Sequence, residues 1–303
     1  MNSQNAIAFE GIAKKYQAFE LHPTSFCVPS GSIVGLVGQN GAGKSTMIKC
    51  GLRLVEPDSG TVSIAGLEPT KGVADQLRRM VGYVPESECF YEWMTIQETL
   101  SFARNYYPTW DCRYEEDLLE RYQLDGSKKV KHLSKGMRAK LSLILALAFR
   151  PKVLVLDEPS SGLDPVMKAE FLDELSRLVA QKHIEGILIS SHILSEIAKV
   201  AHRIVILQSG RLLADRSRGE MLVGWRKALF SFSAEERTSN VVAGRIRPSA
   251  DFGRHVLVFR EHEQNLLREL ELKGANRIEV LEPSLEEVLL EAVTVEEVSV
   301  CGH

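Results

Sequence analysis

Up to about residue 220, short apolar runs alternate with longer amphipathic stretches. Ile33-Val-Gly-Leu-Val37, Val153-Leu-Val-Leu156 and Gly186-Ile-Leu-Ile-Ser190 are continuous, rich in Leu or β-branched residues, and bounded by turn residues. Runs of this kind predict strands buried on both faces of a mostly parallel sheet. Two further strands are expected early, over 5–12 and 24–28. Between the runs the spacing predicts helices over 96–107, 113–123, 135–149, 165–182 and 193–200, and another from about Lys44. Such alternation of strand and helix predicts an α/β fold.

Beyond residue 220 the pattern changes. Strands with period-two character are expected over 228–233 and 255–260, a charged amphipathic helix over 262–273, a strand from Arg277 to Leu281, and a last helix over 284–293. The expected division is therefore a large domain, 1–220, and a small α+β domain, 221–303, whose tail frays from Thr294. A chain of 303 residues suits one large domain and a small one.

Composition narrows the function classes. Hydrophobic residues make up 44% and charged residues 25%, the balance of a globular protein with a real core. Lys and Arg number 37 against 40 Asp and Glu, net −3, so the basic excess of a nucleic-acid binder is missing. Cysteines at 27, 50, 89, 112 and 301 form no CxxC pair, which predicts neither a disulfide framework nor a zinc site and fits a reducing cytosol. No signal peptide is expected at Met1, because no basic flank leads into an apolar core. The longest apolar run, Leu141 to Phe149 interrupted only by Ser142, is well short of the roughly 18 to 20 residues of a membrane helix. Any membrane role would have to run through a partner.

Gly38-Gln39-Asn40-Gly41-Ala42-Gly43-Lys44-Ser45-Thr46 matches the pattern GxxxxGK[ST] between an expected strand and an expected helix. Several backbone N–H groups must meet phosphate oxygens at once, which needs the conformations and close approach that Gly41 and Gly43 allow. The helix from Lys44 turns its positive end toward the anion. Lys44 adds a full charge for the β and γ phosphates, Ser45 offers a hydroxyl to Mg²⁺, and Thr46 sits one step further in. The strand 153–156 ends in Asp157-Glu158-Pro159. Asp157 is expected to reach Mg²⁺, directly or through water, and Glu158 to act on the attacking water as general base or orienter.

With these motifs in order, the chain resembles the ABC ATPases over roughly residues 5–220. Leu133-Ser134-Lys135-Gly136-Met137 is similar to the LSGGQ signature of that family, and Ser160-Ser161-Gly162-Leu163-Asp164-Pro165 to its D-loop. His192 stands at the position of the switch histidine, Tyr16 where an aromatic ring stacks on adenine, and Glu86 of Gly82-Tyr-Val-Pro-Glu86 where most members have the Q-loop glutamine. A segment like Tyr107-Pro-Thr-Trp-Asp111 and a Ser-Lys-Gly-Met signature also occur in the Ytr-type ATPases of bacterial exporters. The resemblance implies the P-loop ABC ATPase fold: a mostly parallel sheet with an antiparallel β edge, and a helical subdomain over about 87–150. It implies ATP and Mg²⁺ as ligands, with Ser45, Asp157 and Glu86 toward the metal and Glu158, His192 and Lys44 at the chemistry. Ser134 and Gly136, at the start of a helix, would form a second anion site that meets the γ-phosphate held by another subunit. Asp164 belongs to the same interface. Two copies, or a pair with a homologous ATPase, would clamp two ATP molecules across a twofold axis.

Two sites depart from that family pattern: the signature, where Met137 also stands in place of Gln, and the Q-loop position. Lys135 replaces a glycine; its ammonium is expected either near the partner's phosphates or in solvent. Glu86 replaces an amide, and an ionised carboxylate accepts but does not donate. The aromatic stretch containing Phe90, Tyr91, Trp93, Met94, Phe102, Tyr106 and Tyr107 is expected to be part helical core and part contact zone for a membrane subunit. The functional expectation is the ATP-hydrolysing subunit of a bacterial exporter, cytoplasmic and peripheral on the inner face of the plasma membrane, serving a permease on a separate chain and binding no nucleic acid. A soluble ABC ATPase acting on ribosomes or DNA is the alternative. Its usual second cassette or coiled-coil insert is missing from the sequence.

Overall fold

The computed structural model describes residues 5–68, 76, 79–87, 89–232, 246–249, 254–260, 265–285, 287, 288 and 291. The chain divides into two compact units between Asp215 and Arg216.

The first unit is built on two sheets. β1 (Asn5–Lys15), β2 (Glu20–Pro29) and β4 (Ser59–Ile64) form an antiparallel sheet in the order β2-β1-β4. The larger sheet takes β3 (Ser32–Val37), β5 (Val81–Val84), β6 (Val153–Leu156), β7 (Gly186–Ser191), β8 (Arg203–Gln208) and β9 (Arg211–Ser217) in the order β5-β6-β7-β3-β8-β9. Pairing from β5 through β8 is parallel. β3, β6 and β7 are buried at every residue, which is why their sequences are continuous apolar runs rather than alternating ones. The main core lies between the sheets and α1 (Lys44–Gly51), with Phe9 stacked on Phe26 and with Met47, Ile48 and Val155 inside it.

The central helices are α2 (Ile96–Arg104), α3 (Cys112–Arg121) and α4 (Lys135–Leu147). A capping box starts α2: the Glu98 N–H donates to Thr95 Oγ1 at 3.1 Å, and the Thr95 N–H to Glu98 Oε2 at 2.7 Å. The segment Tyr107–Asp111 latches this group together. Tyr107 stacks on Phe149 at 4.1 Å, Thr109 Oγ1 donates to the Phe149 carbonyl at 3.0 Å, and Trp110 Nε1 donates to the buried Glu115 carboxylate at 2.6 Å. Asp111 caps α3 by accepting the Tyr114 N–H at 3.0 Å, and also accepts from Arg150 at 3.0 Å. The Tyr114 N–H first, then Arg150, hold its carboxyl below the ordinary value. Its contribution is therefore present at neutral pH and lost as pH falls through the lowered pKa. Asp111→Ala is expected to cost about 1–2 kcal/mol in urea denaturation at neutral pH, the worth of a cap and part of an ion pair.

α5 (Pro165–Ala180) and α6 (Leu194–Val200) complete this unit. The strand expectations were short at the first sheet: β1 runs on through Lys15, and β2 starts at Glu20. Both continue into exposed charged residues that an apolar count does not credit. Among the described residues no helix is long and apolar enough to cross a membrane.

The second unit holds β10 (Trp225–Phe232), β11 (Arg247–Pro248), β12 (His255–Arg260) and β13 (Ala275–Leu281), antiparallel in the order β11-β12-β10-β13. Two helices, α7 (Arg218–Leu222) and α8 (Asn265–Leu272), belong to it. Ala228, Phe230, Leu257, Phe259 and Leu270 form its core. Leu222 packs with Trp225 and Val258, which draws α7 into this unit and sets the division before 220. Of the helix expected over 284–293, the described residues 285, 287, 288 and 291 are helical and the rest, apart from 284, lie outside the described residues, as does the whole tail from Thr294.

Candidate nucleotide site

Adjacent parallel strands deliver the chemistry to one edge. β3 ends at Val37 and leads into Gly38, β6 ends at Leu156 and leads into Asp157, and β7 ends one residue before His192. In parallel α/β sheets, the carboxyl ends of the strands are where ligands bind.

The loop from Gly38 to Lys44 is tied on both sides. The Gly38 N–H donates to the Ser191 carbonyl at 3.3 Å, and the Ala42 carbonyl accepts from Gly210 at 3.0 Å. Gly43 has φ 107°, a left-handed conformation that favours glycine, and a Cβ there would come within 2.9 Å of Phe19 Cζ. Gln39, Asn40 and Gly41 are exposed, whereas Ala42, Gly43 and Lys44 are buried. Lys44 Nζ donates to the carbonyls of Gly38 at 2.6 Å and Gln39 at 3.2 Å, and it lies 3.1 Å from Glu158 Oε1. Thr46 is half-buried in the first turn of α1.

Asp157 and Glu158 are 1% and 7% exposed. Ser45 Oγ donates to Asp157 Oδ1 at 3.1 Å, and Ser190 Oγ donates to the same oxygen at 2.7 Å. Ser190 also accepts the Glu158 N–H at 2.9 Å. That bond helps fix Glu158 at φ 50°, a left-handed conformation that costs a non-glycine residue about 1–2 kcal/mol. Glu158 Oε2 lies 2.8 Å from His192 Nδ1, while its buried Oε1 has no hydrogen-bond donor in line among the described residues. The carboxylate is thus held between a cation and an imidazole. Ser45 and Asp157 together offer hard oxygen donors of the type Mg²⁺ takes beside substrate phosphates.

The remaining expected residues occupy different surroundings. Tyr16 is exposed in the turn after β1, with the Lys14 ammonium 5.8 Å from its ring. Glu86 follows β5 and lines a cavity of about 150 Å³ together with Lys135, Glu158 and Ser161. Burial first, then the charges of Asp157 and Glu86, push the neighbouring Tyr83 hydroxyl up to about 12. Ser134 caps α4, accepting the Met137 N–H at 3.2 Å, so its hydroxyl proton stays available. Gly136 is buried, and a Cβ there would lie 2.7 Å from the Met167 methyl, so helix packing also requires this glycine. Asp164 caps α5, accepting from Val166 and Met167 at 3.0 Å each. Lys135 is exposed, and its ammonium lies against Gly162 of its own chain.

Sequence reasoning missed Ser190 and Phe19. Ser190 is a buried hydroxyl at the end of an otherwise apolar strand, and a polar residue in such a run was the available signal. Of the aromatic stretch, Tyr107 packs inward. Tyr91, Trp93, Phe102 and Tyr106 form one exposed patch, with successive ring centroids 4.6 to 6.2 Å apart.

A phosphate loop, a serine–aspartate pair, and a glutamate held by lysine and histidine at one edge of a parallel sheet define a P-loop ATPase. The ABC transporter family model matches residues 21–161. The chain is 31% identical to the ABC transporter ATP-binding protein YtrB of Bacillus subtilis, over 89% of this chain and 91% of that protein. It is 35% identical to the Nod factor export ATP-binding protein I of Burkholderia thailandensis, over 69% of this chain and 70% of that one. A solved ATP-binding subunit of an ABC transporter superimposes with TM-score 0.64 at 33% identity, covering 71% of this chain and 91% of that one. The chain belongs to the ABC transporter ATP-binding proteins, and it is an ATPase.

Proposed function

We propose that this chain powers an exporter from the cytoplasmic face of the plasma membrane, through a permease carried on a separate chain. The observation that carries hydrolysis is Glu158, buried between Lys44 and His192. In this reading the P-loop amides and Lys44 hold the β and γ phosphates of ATP, with Tyr16 against the adenine. Glu158 accepts the proton of a water whose oxygen attacks the γ-phosphorus. The bond to the bridging oxygen breaks, leaving ADP and phosphate. His192, fixed by Glu158, hydrogen-bonds the γ-phosphate. Ser45 and Asp157, with Glu86, would hold Mg²⁺, which when bound neutralises charge on the phosphates.

Ser134 and Gly136 complete the site of a second copy, so ATP joins two subunits and its hydrolysis releases them. Asp164 and the residues around it line that junction. The exposed rings of Tyr91, Trp93, Phe102 and Tyr106 are the surface offered to the permease. Export as the direction draws on the named function of the Nod factor relative. The unit from Arg216 onward strengthens or regulates the pair.

Light scattering in ATP, with Mg²⁺ withheld to slow hydrolysis, is expected to show a doubling of mass that Lys44→Ala lacks. A chain that hydrolyses ATP yet stays monomeric at every concentration would overturn the shared site.

A further inference from the structure

Two of the three departures from the family pattern, Glu86 and Lys135, meet at one place. Glu86, from the loop after β5, and Lys135, from the first turn of α4, line the same cavity of about 150 Å³. Glu158 lines it too, and Ser161 of the turn before α5 closes a side. Among the residues lining the cavity, Glu86 and Glu158 are the acids and Lys135 is the cation. A glycine at 135 would leave two carboxylates facing a space walled by Val84, Leu163 and Phe171. Like charges there repel, and because Glu86 is exposed, solvent and salt screen part of that repulsion. Lys135, itself exposed, also makes a contact within its own chain. Its ammonium lies over the Cα of Gly162, where a Cβ would overlap it, and Gly162 has φ 69°.

We propose that Lys135 is a positioning residue of its own chain: it balances Glu86 across the cavity onto which Glu158 opens, and it holds the Gly162 turn in place. The two departures are then one feature. An acid stands where the family has an amide, and a cation stands where the family has a glycine. The turn that Lys135 rests on runs directly from Glu158, whose carbonyl accepts the Ser161 N–H at 3.1 Å. Ser160 of that turn donates to Glu196 at 2.8 Å, and Glu196 in turn accepts from Lys168 at 2.6 Å. The turn is thus anchored on its far side through Ser160 and on its near side through Lys135. The strained backbone of Glu158 lies between these anchors and the Ser190 bond.

This inference rests on the reading of Glu158 as the base, and its test is a double-variant cycle in steady-state ATP hydrolysis. Lys135→Gln is expected to lower kcat about fivefold, with KM for ATP within about twofold, the size of one partly screened charge pair. Lys135→Arg is expected to restore kcat, because it keeps the cation. Glu86→Gln placed on Lys135→Gln is expected to return most of the loss, and the coupling is expected to shrink with added salt. If Lys135→Gln raises KM and spares kcat, the lysine serves a bound phosphate and the proposal fails. It fails equally if the loss is the same with Glu86 and with Gln at position 86. Glu158→Gln separates the two readings: hydrolysis that survives it removes the base, whereas the Glu86–Lys135 coupling is measured with Glu158 intact.

Discussion

Glu158→Gln is expected to lower kcat by at least about 100-fold while ATP binding stays within a few-fold of the parent, because general-base catalysis contributes about 10² to 10⁴. The amide keeps the size of the side chain and can still hydrogen-bond His192, so the edge of the sheet has little reason to rearrange. What it loses is basicity. It also loses the negative charge 3.1 Å from Lys44 Nζ. In the parent that carboxylate competes with phosphate for the lysine, so the variant is expected to hold ATP at least as well, and the ATP-joined pair is expected to persist. Single-turnover hydrolysis together with ATP binding by fluorescence reads both halves. A kcat within threefold of the parent would remove Glu158 from the chemistry and leave Lys44 and His192 needing another base. The variant has one further signature. Lys44 is 5% exposed. Without Glu158 its remaining partners are the carbonyls of Gly38 and Gln39. The ligand-free variant is therefore expected to be less stable than the parent, and ATP to narrow the gap.

Legibility followed burial and local chemistry. β3, β6 and β7 could be read almost to the residue because strands buried on both faces leave nothing but apolar runs. β8, Arg203–Gln208, has the same kind of centre, but flanking polar residues hid it, and β4, Ser59–Ile64, is too polar to stand out. Both are fixed by neighbours far away in sequence: β4 pairs with β1, and β8 with β3. The site followed the same rule. Lys44, Ser45, Asp157 and Glu158 announce themselves because phosphate and metal chemistry demand those types at those spacings. Ser190 does not, since its role comes from a parallel pairing that sets β7 beside β6. Lys135 shows the limit best. Sequence alone offered it a partner's phosphate or solvent; it is exposed, and the contact it also makes with Gly162 exists only once α4 and the turn before α5 have packed.

Arg104→Leu is expected to cost about 2 kcal/mol of stability, because it leaves the buried Glu115 carboxylate without its countercharge while Arg104 itself is partly exposed. Glu115 is 2% exposed. Its carboxylate accepts from Arg104 Nη2 at 2.9 and 3.0 Å, from Trp110 Nε1 at 2.6 Å and from Gln97 Nε2 at 3.3 Å. Gln97 and Trp110 are neutral, so Arg104 supplies the compensating charge at this carboxylate. Taking the guanidinium away leaves a carboxylate that must stay charged in an apolar setting or take up a proton. Taking both members away is a different change. Arg104→Leu combined with Glu115→Leu removes the buried charge altogether and is expected to recover most of the loss, with Trp110 giving up one acceptor. Urea denaturation of the two single variants and the double distinguishes the cases. A double variant less stable than either single, or an Arg104→Leu cost below about 1 kcal/mol, would mean that apolar packing rather than this pair binds α2 to α3. The outcome also bears on function. Trp110 and Asp111 join α3 to the end of α4, through the Ala148 carbonyl that accepts the Asp111 N–H at 2.8 Å, and Ser134 and Lys135 sit at the other end of that helix. A loosened pair is therefore expected to weaken ATP-driven pairing of subunits more than it weakens binding of ATP to one chain.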